Sequence, residues 1–192
     1  MGNAAEDRAE AAKLPDGDVI KVLLEQHAQI HDLVEGVMSS SGERKRESFD
    51  ALRALLAVHE TAEEMVLRPV SSEIAGPGLA DARNHEEAEA NQVLAKLEAM
   101  DVDSPDFDTE FAAFQNAVDA HAEAEEQGEF PAILETCTVE QRQQMGKRIK
   151  AAEAVAPTHP HPGVEPGSMA QKVVGPFAAI VDRAKDAIAK AG

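Results

Sequence analysis

Two stretches of the sequence carry the same ligand-type side chains at the same spacing. His59 is followed by Glu63 and Glu64, and His121 by Glu125 and Glu126, so both read H-x-x-x-E-E. On a helix four residues turn through about 400°, which puts each His–Glu pair on one face, one turn apart. Each pair also continues an apolar stripe. Leu52, Leu55 and Leu56 lead into His59, Glu63 and Val66, while Phe111, Phe114 and Val118 lead into His121 and Glu125. A buried carboxylate without a partner costs several kcal/mol, and a buried imidazole has two nitrogens to satisfy. A metal ion held by all four groups removes that cost. Imidazole with carboxylate is a donor set for iron, manganese or zinc, and bridging carboxylates favour a pair of ions.

Other stretches add to the set. His27 lies between Leu23 and Ile30 on an apolar stripe. His85 is followed one turn later by Glu89, then by Val93 and Leu97. The candidate metal residues are therefore His27, His59, Glu63, His85, Glu89, His121 and Glu125. His31 sits about 40° off its stripe and reads as a rim residue. Glu60, Glu64, Glu86, Glu87, Glu123 and Glu126 read as solvated faces. His159 and His161 lie in a His-Pro-His-Pro tract that reads as a surface strap, and Cys137 as a small buried hydrophobe.

These residues need helices to position them. Apolar spacing predicts helices over about 18–38, 43–68, 80–100 and from 106 onward, with Gly128 and Pro131 disturbing the last. Asp16 or Asp18 can cap the first. Four helices of about 20 residues with short connections imply an all-α fold, an antiparallel up-down four-helix bundle. Residues 1–15 read as a disordered polar tail, 16–135 as the bundle, and 136–192 as a C-terminal helical extension. Thr138 with Gln141 makes a capping box for a fifth helix, followed by a Pro-rich strap. A final amphipathic helix carries Val173, Phe177, Ile180 and Val181, with Pro176 inside it. Its stripe would be buried on the bundle or in a homo-oligomer.

Composition narrows the function. The net charge is −18, which repels nucleic acid and anionic membrane surfaces. No apolar run approaches a membrane span, and no export signal is expected at the N-terminus. One cysteine excludes an internal disulfide and points to the cytoplasm. The absence of Tyr and Trp removes the side chains that carry radicals most easily.

The set His27, His59-x-x-x-Glu63, His85 and His121-x-x-x-Glu125 resembles the hemerythrin-like HHE cation-binding family over roughly residues 18–135. The segments HETAEEMVLRP (59–69) and HAEAEEQGEFP (121–131) are similar to that family's phrasing. The resemblance implies two iron ions, oxo- or hydroxo-bridged, with Glu63 and Glu125 between them. It implies His27 and His59 on one iron, and His85, His121 and Glu89 on the other. Oxygen-carrying members have H-x-x-x-H on the third helix, where this chain has His85-x-x-x-Glu89. A harder oxygen donor there shifts the site towards ferric iron and away from reversible oxygen carriage. The small ligand implied is oxygen, peroxide or nitric oxide. Catalase-like or oxidase activity, iron handling, and an interaction module with a structural metal stay open as alternatives.

Overall fold

The computed structural model describes residues 4–159, and every element among them is helical. The elements are α1 (Ala4–Ala11), α2 (Val19–Ser39), α3 (Gly42–Ala75), α4 (Pro77–Glu98) and α5 (Pro105–Ala124). A π-helical turn (Glu125–Glu129), α6 (Phe130–Thr136) and α7 (Val139–Glu153) follow. α2 packs on α3, α3 on α4, α4 on α5, and α5 back on α2, so the long helices enclose one interior. None of the described helices is long and apolar enough to cross a membrane.

Local chemistry explains the boundaries. Asp18, rather than Asp16, caps α2 by accepting the Ile20 amide at 3.1 Å. The capping box of α7 is present: Thr138 Oγ1 accepts from the Gln141 amide, and Gln141 Oε1 accepts from the Thr138 amide. Gly76, at φ 88°, breaks the chain between α3 and α4.

Several boundaries depart from the sequence reading. Residues 4–11, expected as a disordered tail, form a helix packed on α2, with Asp7 and Ala11 buried. This segment is rich in Ala and Glu, strong helix formers, and Arg8 pairs with Asp32 of α2. The second long helix does not stop at Arg68 but runs through Pro69 to Ala75. A proline inside a helix costs about 3 kcal/mol. Here Arg68 and Ser71, on either side of it, are both held by Glu129 from across the interior. The strap beyond His159 and the final amphipathic helix lie outside the described residues. The start of the strap is in place, with the Thr158 carbonyl accepting from Arg53 at 2.7 Å and His159 paired with Glu98.

The apolar interior is divided in two. One half contains Ile20, Leu23, Leu67, Phe130, Ile133 and Ile149. The other contains Ile30, Leu52, Leu97 and the phenylalanines Phe49, Phe107 and Phe111. Between them lies a buried polar layer.

α7 reaches this core through a close backbone approach. A Cβ on Gly146 would come within 2.2 Å of the Gly17 carbonyl oxygen. Gly146→Ala must therefore push α7 off the loop before α2. We expect a loss of about 1–3 kcal/mol, read by urea denaturation, whereas Gly78→Ala, where a Cβ meets nothing, should change little.

Candidate metal centre

The polar layer gathers side chains from all four long helices and the π turn. α2 supplies His27, α3 supplies His59, Glu60 and Glu63, α4 supplies Glu87, α5 supplies His121, and the π turn supplies Glu125. Their donor atoms form two groups. His27, His59, Glu63 and Glu125 each bring one atom within 4.8 Å of the others, and so do Glu60, Glu63, Glu87 and His121. Glu63 belongs to both. Glu125 spans them as well, with Oε2 at 3.4 Å from His27 Nε2 and Oε1 at 3.2 Å from His121 Nε2.

The three imidazoles are oriented alike. His59 Nδ1 donates to Gln26 Oε1 at 2.8 Å, His27 Nδ1 to Glu126 at 2.7 Å, and His121 Nδ1 to Glu86 at 2.9 Å. Each ring thus turns Nε2 inward, and an outer acceptor holds it there, as at ligating histidines generally. The inward atoms lack ordinary partners. His27 Nε2, His121 Nε2, Glu60 Oε2, Glu63 Oε1, Glu87 Oε2 and Glu125 Oε2 are buried with no hydrogen bond. Six orphaned donors converging on one layer are what a metal site requires and what a packed core avoids.

The electrostatics agree. Burial lowers the His59 pKa to about 4, so its ring is neutral and ready to donate a lone pair. Burial would also lower His27, but the nearby Glu125 carboxylate and the hydrogen bond to Glu126 win and raise it to about 9. His121 is half-buried, yet Glu125 and Glu60 hold it well above the usual histidine range. Burial pushes Glu63 up, and the neighbouring Glu125 charge pushes it further. Glu125 itself is kept ionised against burial by His121 and Arg68.

Arg68 is the resident counter-charge. It is buried, and its Nη2 lies 3.2 Å from Glu63, 2.5 Å from Glu87 and 2.5 Å from Glu125, while Nη1 donates to Glu129 at 2.7 Å. A void of about 10 Å³, near the size of one water, lies beside His27, His59 and His121. A larger cleft of about 400 Å³ opens between α4 and α5 and ends on Glu60, Glu87 and His121.

The expected residues divide clearly. His27, His59, Glu63, His121 and Glu125 come together. His85 and Glu89 do not: they pair with each other at 3.5 Å on the outside of α4, with side chains 76% and 68% exposed. The reason is angular. Stepping from His85 by fours to Val93 and Leu97 drifts about 40° per step, and His85 lies about 180° from the buried Leu94. Glu87, seven residues before Leu94, is the residue of α4 that faces inward. Glu60 and Glu87, expected on solvated faces, are thus part of the cluster. Glu126 is also drawn in, because the π turn lets consecutive carboxylates reach the two nitrogens of His27. His31 stays at the rim, 3.6 Å from Asp7 and from Asp119.

The profile of the hemerythrin HHE cation-binding domain matches residues 12–133, more than half of the chain. The chain belongs to this family. The HHE match runs from before α2 into the first half of α6 and hence covers every residue of the cluster. An uncharacterized hemerythrin-like protein of Schizosaccharomyces pombe is 25% identical over 138 residues, 70% of this chain and 68% of its own length. A DNA nickase of Nostoc is 26% identical over 80% of this chain, which spans 43% of that protein's length. A crystal structure of an HHE domain-containing protein from Mycobacterium kansasii superposes with a TM-score of 0.64 at 24% identity, over 71% of this chain and 85% of that one. That likeness fixes the helical fold.

Proposed function

We propose that this HHE protein is an antiparallel up-down four-helix bundle that holds two iron ions side by side and presents them to a small oxidant: oxygen, peroxide or nitric oxide. The observation that carries the proposal is the pair of four-residue groups sharing Glu63, with their inward atoms unpartnered. His27 and His59 would hold one ion. Glu60, Glu87 and His121 would hold the other. Glu63 and Glu125 would lie between them. The second position is rich in carboxylate, which favours hard ions, iron and manganese among them, over soft ones. When bound, iron supplies one-electron chemistry and an open position for a small ligand. The protein contributes orientation through Gln26, Glu126 and Glu86, an apolar sleeve on both sides, and an opening too small at the imidazoles for anything but a small molecule.

A second reading, peroxide removal, is favoured by the cleft between α4 and α5, which leads from the surface to Glu87 and His121. One spectroscopic experiment tests both. With no Trp or Tyr in the chain, the near-ultraviolet window is clear. Iron-loaded protein should absorb there, and the band should change on reduction. Recovery with oxygen supports a binding protein, and gas evolution with peroxide supports an enzyme. A spectrum indistinguishable from metal-free protein would end the iron reading.

Metal uptake should depend on pH. His27 holds a proton up to about pH 9, so an ion entering at its Nε2 displaces it, whereas His59 is already neutral. Affinity for Mn(II) should rise with pH from 6.5 to 8.5, by up to about tenfold per unit for one released proton. Calorimetry in two buffers of different ionisation enthalpy reads the proton release directly, and its absence would contradict the assignment of His27.

A further inference from the structure

We propose that divalent metal ions reach the centre past Asp7, His31 and Asp119, a port where α1, α2 and α5 meet and which lies outside both metal groups. This rests on the metal reading above and adds to it a way in.

Three elements build the port. Asp7 comes from α1, His31 from α2 and Asp119 from α5. His31 Nε2 lies 3.6 Å from Asp7 Oδ2, and its Nδ1 lies 3.6 Å from Asp119 Oδ1. Both separations are too long for a hydrogen bond. They are close to that of two neighbouring donors on one ion with bonds of about 2.1 Å. Asp7 is 2% exposed and Asp119 7%, yet Oδ2 of each is buried with no hydrogen bond. Burying a carboxylate in this way is costly unless a cation pairs with it. Arg8, the neighbour of Asp7 in the chain, is turned to Asp32 at the surface. A passing metal ion would supply the missing charge. The two pairs use different nitrogens of one ring, so they are successive stations for an ion in transit and not one closed cage.

The place of His31 makes the port an entrance. Its side chain is 20% exposed, while the same residue lines the void of about 10 Å³ beside His27, His59 and His121. It thus meets solvent on one side and three ligand-type imidazoles on the other. Asp7 also lies near enough to Glu126 and His27 to feel both charges. The void is near the size of one water, enough for a single ion that has exchanged its hydration shell for carboxylate and imidazole. Other approaches suit an ion less. Phe130 stacks on the His27 ring at 5.6 Å between centroids, and the two apolar halves bound the layer on both sides. The cleft between α4 and α5 is also rimmed with acids, but its outer ones are already paired: Glu86 with Arg83, Glu89 with His85 and Glu110 with Lys96.

Stopped-flow mixing of metal-free, full-length protein with Co(II), followed by visible absorption, tests this, with bound cobalt measured after desalting. Asp7→Asn with Asp119→Asn should slow uptake by about tenfold or more, as expected when focused charge no longer speeds association, and leave the final cobalt content unchanged. Added salt should slow uptake by wild type and slow the double variant less. Glu89→Gln with Glu110→Gln, at the cleft, should leave the rate unchanged. The Asp→Asn changes keep shape and remove buried charge, so circular dichroism should show the fold intact. If the double variant does not fold, the single variants decide the matter, each expected to slow uptake by about threefold. An unchanged rate in the folded variant, a loss of cobalt content as large as the loss of rate, or equal slowing by the cleft variant would overturn the proposal. No cobalt bound to wild type would overturn the metal reading instead.

Discussion

Glu63→Ala should leave the helices intact and weaken metal binding by on the order of 100-fold or more, at both positions together. Removing even an outer partner of a metal ligand costs about 10- to 100-fold, and Glu63 is a direct donor in both groups. The same change should do no harm to the metal-free protein. There Glu63 is a fully buried carboxylate beside Glu125, with one oxygen unpartnered, and burial works against its charge. A variant that loses metal but not metal-free stability separates a ligand from a packing residue. His85→Ala with Glu89→Ala is the matching control. Both side chains face solvent, so metal content should stay at the wild-type level. Loss of metal in the control, or its retention in Glu63→Ala, would reverse the assignment. Metal analysis after desalting, together with circular dichroism, reads all of these outcomes.

Filling the site should stabilise the fold by about 4 kcal/mol per ion once free metal reaches about a thousand times the dissociation constant. The size follows from mass action, but the sign of its pH dependence follows from this layer. In the metal-free protein His27 is raised to about 9 from an ordinary value near 6.5. Its contribution to stability is therefore complete below about pH 6.5 and is lost as pH rises towards 9. Glu63 and Glu87 are also raised, chiefly by burial, and act in the same direction above the ordinary carboxylate range. Metal-free protein should thus be less stable at pH 8 than at pH 6.5. Metal binding runs the other way, because the displaced protons make it stronger at high pH. Thermal melts with and without metal at the two pH values should show a gap that widens with pH. A gap that narrows would mean that the raised groups are not those the metal displaces.

How far the sequence revealed this site depends on the kind of contact involved. His27, His59, Glu63, His121 and Glu125 were legible because each interrupts an apolar stripe at mid-helix, where the structure places the polar layer. His85 falls off the inward face because stepping by fours drifts about 40° per step. Counting back from Leu94 by seven would have reached Glu87. Glu60 was hidden by its neighbour, since an acid beside His59 in a Glu-rich chain looks like a solvated face. Arg68 left no periodic signal. Its partners come from α4 and the π turn, and its position depends on α3 continuing through Pro69. The π turn is also a tertiary result, because it satisfies His27 and Arg68 at once. α1 was missed for another reason: its few apolar residues gave no stripe, yet Asp7 and Ala11 suffice to seat it on α2.

The central claim is that two ions lie side by side with Glu63 between them. A crystal structure of protein saturated with iron, with anomalous data collected on both sides of the iron edge, tests it most directly. Two anomalous peaks are expected in the polar layer, one at His27 and His59, the other at Glu60, Glu87 and His121, with Glu63 touching both. A peak at the exposed His85–Glu89 pair in place of the layer, or no peak within the layer, would contradict it.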